Sequence, residues 1–204
     1  SMEPTHARLE QEIRGHAEAS QWDEAATCAL QGYGAEVLGF LHAVVPGAAD
    51  ADEAFSSLCE VVWARLPDFR FESSFRTWIY AVARNLAREQ RRARQWRQRR
   101  FADLDGTSAA AKLAARVRST TAIHLRSQTK TRLQQIRDAL PADERALLVL
   151  RLDREMPWAD IARVLAPGDI AEHDLPRESA RLRKHFERVK TKLAGQLRLT
   201  APDA

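Results

Sequence analysis

Apolar residues recur along this chain at helical spacing, and strand-like alternation is nearly absent. The clearest stripe is Phe55, Leu58, Val62 and Leu66, opened by Asp50, Asp52 and Glu53 and stopped by Pro67. Acids in a first turn complement the helix dipole. After a short loop, Phe75, Trp78, Ile79, Val82 and Leu86 repeat the pattern, with Ser73 or Ser74 available as a cap. At about 100° per residue these five form one face, the expected core. Thr77, Tyr80, Arg84, Arg88 and Arg91 fall on the other side, the expected solvent face. Upstream, Trp22 to Gln31 and Ala35 to Val45 read as two helices broken at Gly32-Tyr33-Gly34. Pro46-Gly47 ends the second. Residues 6–20 are polar and weakly periodic, a frayed helix.

Residues 101–126 change character, rich in Ala, Ser and Thr with no large apolar stripe. They read as a linker with helical propensity around Ala109 to Val117. A second set of stripes follows: Leu133, Ile136 and Leu140 before Pro141, then Leu147, Leu148 and Leu150. Trp158, Ile161, Ala162 and Leu165 come next, then Leu182, Phe186, Val189, Leu193 and Leu197. Such a set of closely spaced helices suits a helix-turn-helix unit. The expected organisation is an N-terminal extension over 1–20, a helical domain over 21–100, a linker over 101–127 and a second helical domain over 128–204.

Composition supports an all-α fold, since Ala, Leu, Arg and Glu are the most frequent of the 204 residues. No uncharged run approaches the roughly 20 residues of a membrane span, so a cytoplasmic protein is expected. Cys28 and Cys59 sit in apolar helical patterns and read as reduced core thiols. His6, His16, His42, His124, His173 and His185 show no metal-ligand spacing with one another or with cysteine. No nucleophile elbow, P-loop or dinucleotide fingerprint is present. No enzyme, metal or cofactor is expected.

Charge divides the chain. Residues 1–83 hold 5 Lys+Arg against 13 Asp+Glu, a net −8, and residues 84–126 hold 12 against 3, a net +9. From Arg84 to Arg100 there are 8 Arg and one Glu. So many like charges repel one another and call for a polyanion. Phosphate backbones meet that need through counterion release. The acidic front repels DNA and suits a protein partner.

Ser73-Ser74-Phe75-Arg76-Thr77-Trp78-Ile79-Tyr80, followed by Ala83-Arg84-Asn85-Leu86-Ala87, resembles a signature of bacterial sigma factors. The likeness is to the extracytoplasmic-function group, which keeps only conserved regions two and four. It extends upstream through Asp68-Phe69-Arg70 and the helix ending at Trp63. Downstream, Ala139-Leu140-Pro141, Glu144-Arg145, Leu147 to Leu150 and Trp158-Ala159-Asp160-Ile161-Ala162 resemble region four.

The resemblance implies a subunit that binds core RNA polymerase, through the beta-prime clamp helices and the beta flap, and recognises promoters. The clamp-docking surface would be Asp50, Asp52, Glu53, Ser56, Ser57 and Glu60. The minus-ten element would meet Arg70, Phe71, Glu72, Ser73 and Ser74 in the loop, then Tyr80, Arg84, Asn85, Arg88, Arg91 and Arg92. A base extruded from the duplex offers its edge to short polar groups and its face to aromatics. The arginines would hold phosphates. Trp78 reads as core. The minus-35 element would meet Arg177, Arg181, Arg183, Lys184, His185 and Arg188 on the last helix. The resemblance also implies an anti-sigma regulator.

The chain departs from the family pattern in two places. Ser56 and Ser57 stand where a Gln and an acid are usual, and Ala166 to Leu175 is longer than the ordinary turn of such units. These leave two other readings open: a sigma-like DNA-binding regulator without polymerase binding, and a decoy for an anti-sigma protein.

Overall fold

The Phe55-to-Leu66 stripe is buried as its spacing predicts, and the helices around it build one of two units. The computed structural model describes residues 4–97, 109–126 and 132–199. Among these residues there are nine α-helices and no strand. Contacts divide the chain into residues 1–126 and 127–204.

The first unit contains α1 (Pro4–Glu18), α2 (Trp22–Val44), α3 (Ala48–Arg65), α4 (Phe75–Arg97) and α5 (Ala109–Arg126). Its centre is Leu30, Tyr33, Leu38, Phe40 and Leu41 of α2, Phe55 and Leu58 of α3, Leu66, and Phe75, Ile79 and Tyr80 of α4, all buried.

Three expectations are corrected here. The break at Gly32-Tyr33-Gly34 does not exist, because α2 runs unbroken from Trp22 to Val44. The glycines are sites of close approach. A Cβ on Gly32 would lie 2.2 Å from Leu9 of α1, and one on Gly34 would lie 3.2 Å from Val117 of α5. The N-terminal extension is an integral helix: α1 packs along α2 and buries Ile13 and Ala17. Ser20, two residues beyond its end, has a left-handed φ of 57° that closes the last turn, with Gln21 N–H donating to the His16 carbonyl at 2.9 Å.

The linker is likewise ordered over part of its length. Residues 109–126 are α5, packed on α2 and α3 through Ala110, Leu113, Ala114 and Val117. Their i, i+3, i+4, i+7 spacing is amphipathic, but the side chains are small, so the stripe is faint in sequence. Residues 98–108 and 127–131 of the expected basic run and linker lie outside the described residues.

The second unit contains α6 (Arg132–Asp138), α7 (Ala142–Leu148), α8 (Trp158–Leu165) and α9 (Leu175–Leu199). A wide π turn over Val149–Asp153 follows α7. Its core joins Leu147, Leu148 and Leu150 to Ile161, Ala162 and Val164, with Leu182, Phe186, Val189 and Leu193 of α9 against them. Trp158 meets Phe186 edge-on at 5.5 Å.

Candidate nucleic-acid and protein interfaces

The loop before α4 is organised by aromatic rings. Phe69 lies 4.6 Å from Phe71, 5.7 Å from Phe75 and 5.2 Å from Trp78 between ring centres. Phe71 has a φ of 55°, left-handed for a bulky residue, and the Arg14 guanidinium lies 4.8 Å over its ring. Arg70 and Glu72 are exposed, whereas Phe71, Ser73 and Ser74 are half-buried.

The start of α4 is closed by its own chain. Thr77 N–H donates to Ser74 Oγ at 3.0 Å, an N-cap. The Glu10 carboxylate of α1 accepts from the Phe75 N–H at 2.7 Å and the Arg76 N–H at 2.9 Å. It also accepts from the Tyr33 hydroxyl at 2.7 Å. Burial first, and then this bond, push the Tyr33 hydroxyl well above the ordinary tyrosine value. No local signal points to Glu10, which lies 65 residues from Phe75.

The face of α4 that enters the core is rotated from the expected one. Tyr80 and Arg84 were expected at the DNA surface, yet both are buried, at 0% and 2% exposure. Tyr80 packs edge-on against Phe40 at 5.3 Å. Ala83 and Ala87, also buried, let α4 come close to its neighbours. Arg76 is buried too, with Nε to Glu36 Oε1 at 2.8 Å and Nη2 to Oε2 at 3.1 Å. Burial opposes the Arg76 charge, but the Glu36 bonds outweigh it and hold its pKa above the ordinary arginine value. Trp78, Val82 and Leu86, expected in the core, are half-buried instead. The solvent line of α4 therefore carries Trp78, Asn85 and Arg92 at i, i+7 and i+14, with Arg88 beside them. Asn85 and Arg92 are exposed, and Arg88 and Arg91 half-buried.

On α3, Glu60 is exposed, and Asp50, Asp52, Glu53, Ser56 and Ser57 are half-buried. His42 Nε2 lies 2.9 Å from Asp52 Oδ1. Ser56 Oγ donates to the Asp52 carbonyl at 3.1 Å and accepts from Arg118 of α5. Arg118 also reaches the Asp52 carbonyl at 3.5 Å. Neither His42 nor Arg118 was singled out by sequence. Behind this face Cys59 is buried, and burial pushes its thiol up to about 12. Cys28 is half-buried and also raised by burial.

On α9, Arg177, Arg181, Arg183, Lys184 and Arg188 are exposed and His185 is half-buried. Two of them are engaged within the unit. Arg181 Nε donates to Glu178 Oε2 at 2.9 Å, and that bond holds the Glu178 carboxyl below its ordinary value. The Arg183 guanidinium lies 5.9 Å over Trp158, and Arg151 lies 4.9 Å over the same ring. The long turn before α9 is tied back to α8, since Glu172 pairs with Arg163.

This all-helical unit, with its aromatic loop leading into an arginine-rich helix, has counterparts among known proteins. Residues 30–97 match the sigma-70 region 2 family. A similar protein is the RNA polymerase sigma-H factor of Pseudomonas aeruginosa. It is 29% identical over 139 residues, which are 65% of this chain and 70% of that one. Both findings support a sigma factor that directs transcription initiation. Among the described residues no helix is long and apolar enough to cross a membrane.

Proposed function

We propose that this is a two-domain factor of the extracytoplasmic-function type. It works in the cytoplasm with core RNA polymerase on promoter DNA, and polymerisation belongs to the core enzyme. Region two would be residues 21–100, together with α1. Region four would lie within 128–204.

The supporting observation is the α4 solvent line. Asn85, Arg88 and Arg92 follow directly from a loop in which Arg70 and Glu72 are exposed beside half-buried Phe71, Ser73 and Ser74. In this reading the loop takes an extruded minus-ten base, and Asn85 offers it an amide edge. Arg88, Arg91 and Arg92 hold phosphates and set register. Trp78, half-buried on the same line, packs against Phe69 and Phe75 and supports the loop. Tyr80 and Arg84 take no part. Asp50, Asp52, Glu53, Ser56, Ser57 and Glu60 of α3 dock the clamp helices of the beta-prime subunit.

The minus-35 element meets the first half of α9. Arg177, Lys184, His185 and Arg188 are the first candidates there, with Arg181 and Arg183 reached after they leave Glu178 and Trp158. The beta flap contacts this unit, and an anti-sigma protein covering both domains is the expected regulator.

Run-off transcription with sigma-free core polymerase on genomic promoter fragments tests this. Wild-type protein gives discrete transcripts. Asn85→Ala loses them while still co-eluting with core. Glu53→Lys combined with Glu60→Lys loses both transcripts and co-elution. Transcripts unaffected by Asn85→Ala would remove the α4 line from promoter recognition.

A further inference from the structure

The polymerase-docking face of α3 is not bare, and its occupant belongs to the same chain. We propose that α5 sits on this face as a built-in competitor, and that core polymerase must displace it to bind. This inference rests on the proposed docking role of α3.

Four observations converge. First, α5 lies across both α2 and α3 and buries Ala110, Leu113, Ala114 and Val117. Second, the fit is close. A Cβ on Gly34 would lie 3.2 and 3.3 Å from the two methyls of Val117 and 3.5 Å from the Phe55 ring. A larger residue at 34 would push α5 away.

Third, the charges are complementary. From Ala109 to Arg126 the sequence holds four Lys and Arg and no acid, whereas Ala48 to Arg65 holds Asp50, Asp52, Glu53 and Glu60 against one Arg. Such pairing sets register and rejects like-charged competitors. Fourth, the polar anchor falls on the docking positions themselves. Arg118 donates to Ser56 Oγ and to the Asp52 carbonyl, and Ser56 in turn bonds that same carbonyl. A second protein seeking the Ser56 hydroxyl competes with this guanidinium for it.

This also accounts for the serine at 56. A short hydroxyl accepts the Arg118 N–H close to the α3 backbone, where a longer side chain would fill the space the guanidinium uses. The replacement therefore suits an internal partner at that position.

The test measures binding of the full chain to sigma-free core polymerase. In a Cys28→Ser background, Gly34→Cys with Val117→Cys gives two thiols within disulfide reach, the native Val117 methyls being 3.2 and 3.3 Å from the Gly34 Cβ position. Bond formation is checked by mobility on a non-reducing gel. The oxidised protein should bind core at least tenfold more weakly than the same protein after reduction. Arg118→Ala, which needs no crosslink, should bind core about threefold to tenfold more tightly than wild type, as expected when one charge-assisted contact of the competing state is lost.

Equal binding by oxidised and reduced protein, or an Arg118→Ala that binds no better than wild type, overturns the competitor. Weaker binding by Arg118→Ala assigns α5 to the docking surface instead. Failure of every form, wild type included, to bind core would overturn the docking reading itself.

Discussion

Glu178 and Arg181 illustrate how a side chain exposed to solvent can still be committed. Arg181 stands on the proposed reading helix, but its guanidinium is held by a glutamate one turn earlier. That neighbour competes with a phosphate or a guanine for the same donors. Glu178→Gln should free Arg181, raise affinity for duplex DNA and steepen the dependence on log salt by about one unit, the signature of one added phosphate contact. The pH dependence has a fixed sign. The carboxyl is held below the ordinary glutamate value of 4.5, so the pair is fully formed above that value and is lost as pH falls through the lowered one. The wild type should therefore approach the variant only in that acidic range. Binding titrations at two salt concentrations and two pH values check both effects. A variant with unchanged affinity and slope would mean that Arg181 never reaches DNA.

The helices show which features sequence periodicity carries and which it does not. For α3 the stripe is strong, made of large residues, and it is buried as read. For α4 the stripe of Phe75, Trp78, Ile79, Val82 and Leu86 defines a face, yet the buried face centres on Tyr80 and Ala83, about 100° away. Two alanines, an aromatic ring meeting Phe40 and an arginine meeting Glu36 decide the rotation, and all three depend on partners distant in sequence. For α2 the Gly-Tyr-Gly run looks like a break because glycine weakens an isolated helix. In the folded unit the same absence of a Cβ lets α1 and α5 approach, and tertiary packing prevails over propensity. For α5 alanines replace the bulky residues that would have marked a core helix. The exposure of Arg70, Glu72, Asn85 and Arg92 was legible, and so was that of Glu60 on α3, whereas the burial of Arg84 was not. What covers α3 was not legible either, because Arg118 and Ser56 are 62 residues apart. Glu10 belongs to the same group of distant partners. Glu10→Ala leaves two backbone amides and the Tyr33 hydroxyl without their acceptor and should destabilise the first unit by about 2–3 kcal/mol. Thermal unfolding measures it, and Glu10→Gln, which keeps one acceptor oxygen, should lose less. An unchanged midpoint for Glu10→Ala would show that water replaces the carboxylate without penalty.

The division into residues 1–126 and 127–204 separates two tasks in the proposed reading. Both the docking face and the helix lying on it belong to the first unit. A fragment of residues 1–126 should therefore still bind core polymerase, more weakly than the full chain by the lost beta-flap contact, while transcripts from promoters that depend on a minus-35 element fall more than tenfold. Co-elution and run-off transcription check this. A fragment unable to bind core would locate an indispensable contact beyond residue 126. Within that first unit, the closed start of α4 has a directional effect. Helix N-termini ordinarily attract anions, but here the amides of Phe75 and Arg76 already hold a carboxylate. In the proposed reading these two amides have nothing left to offer a phosphate, and Arg88, Arg91 and Arg92 further along the helix take that part. Such an uneven grip would set which way a strand runs before any base is read.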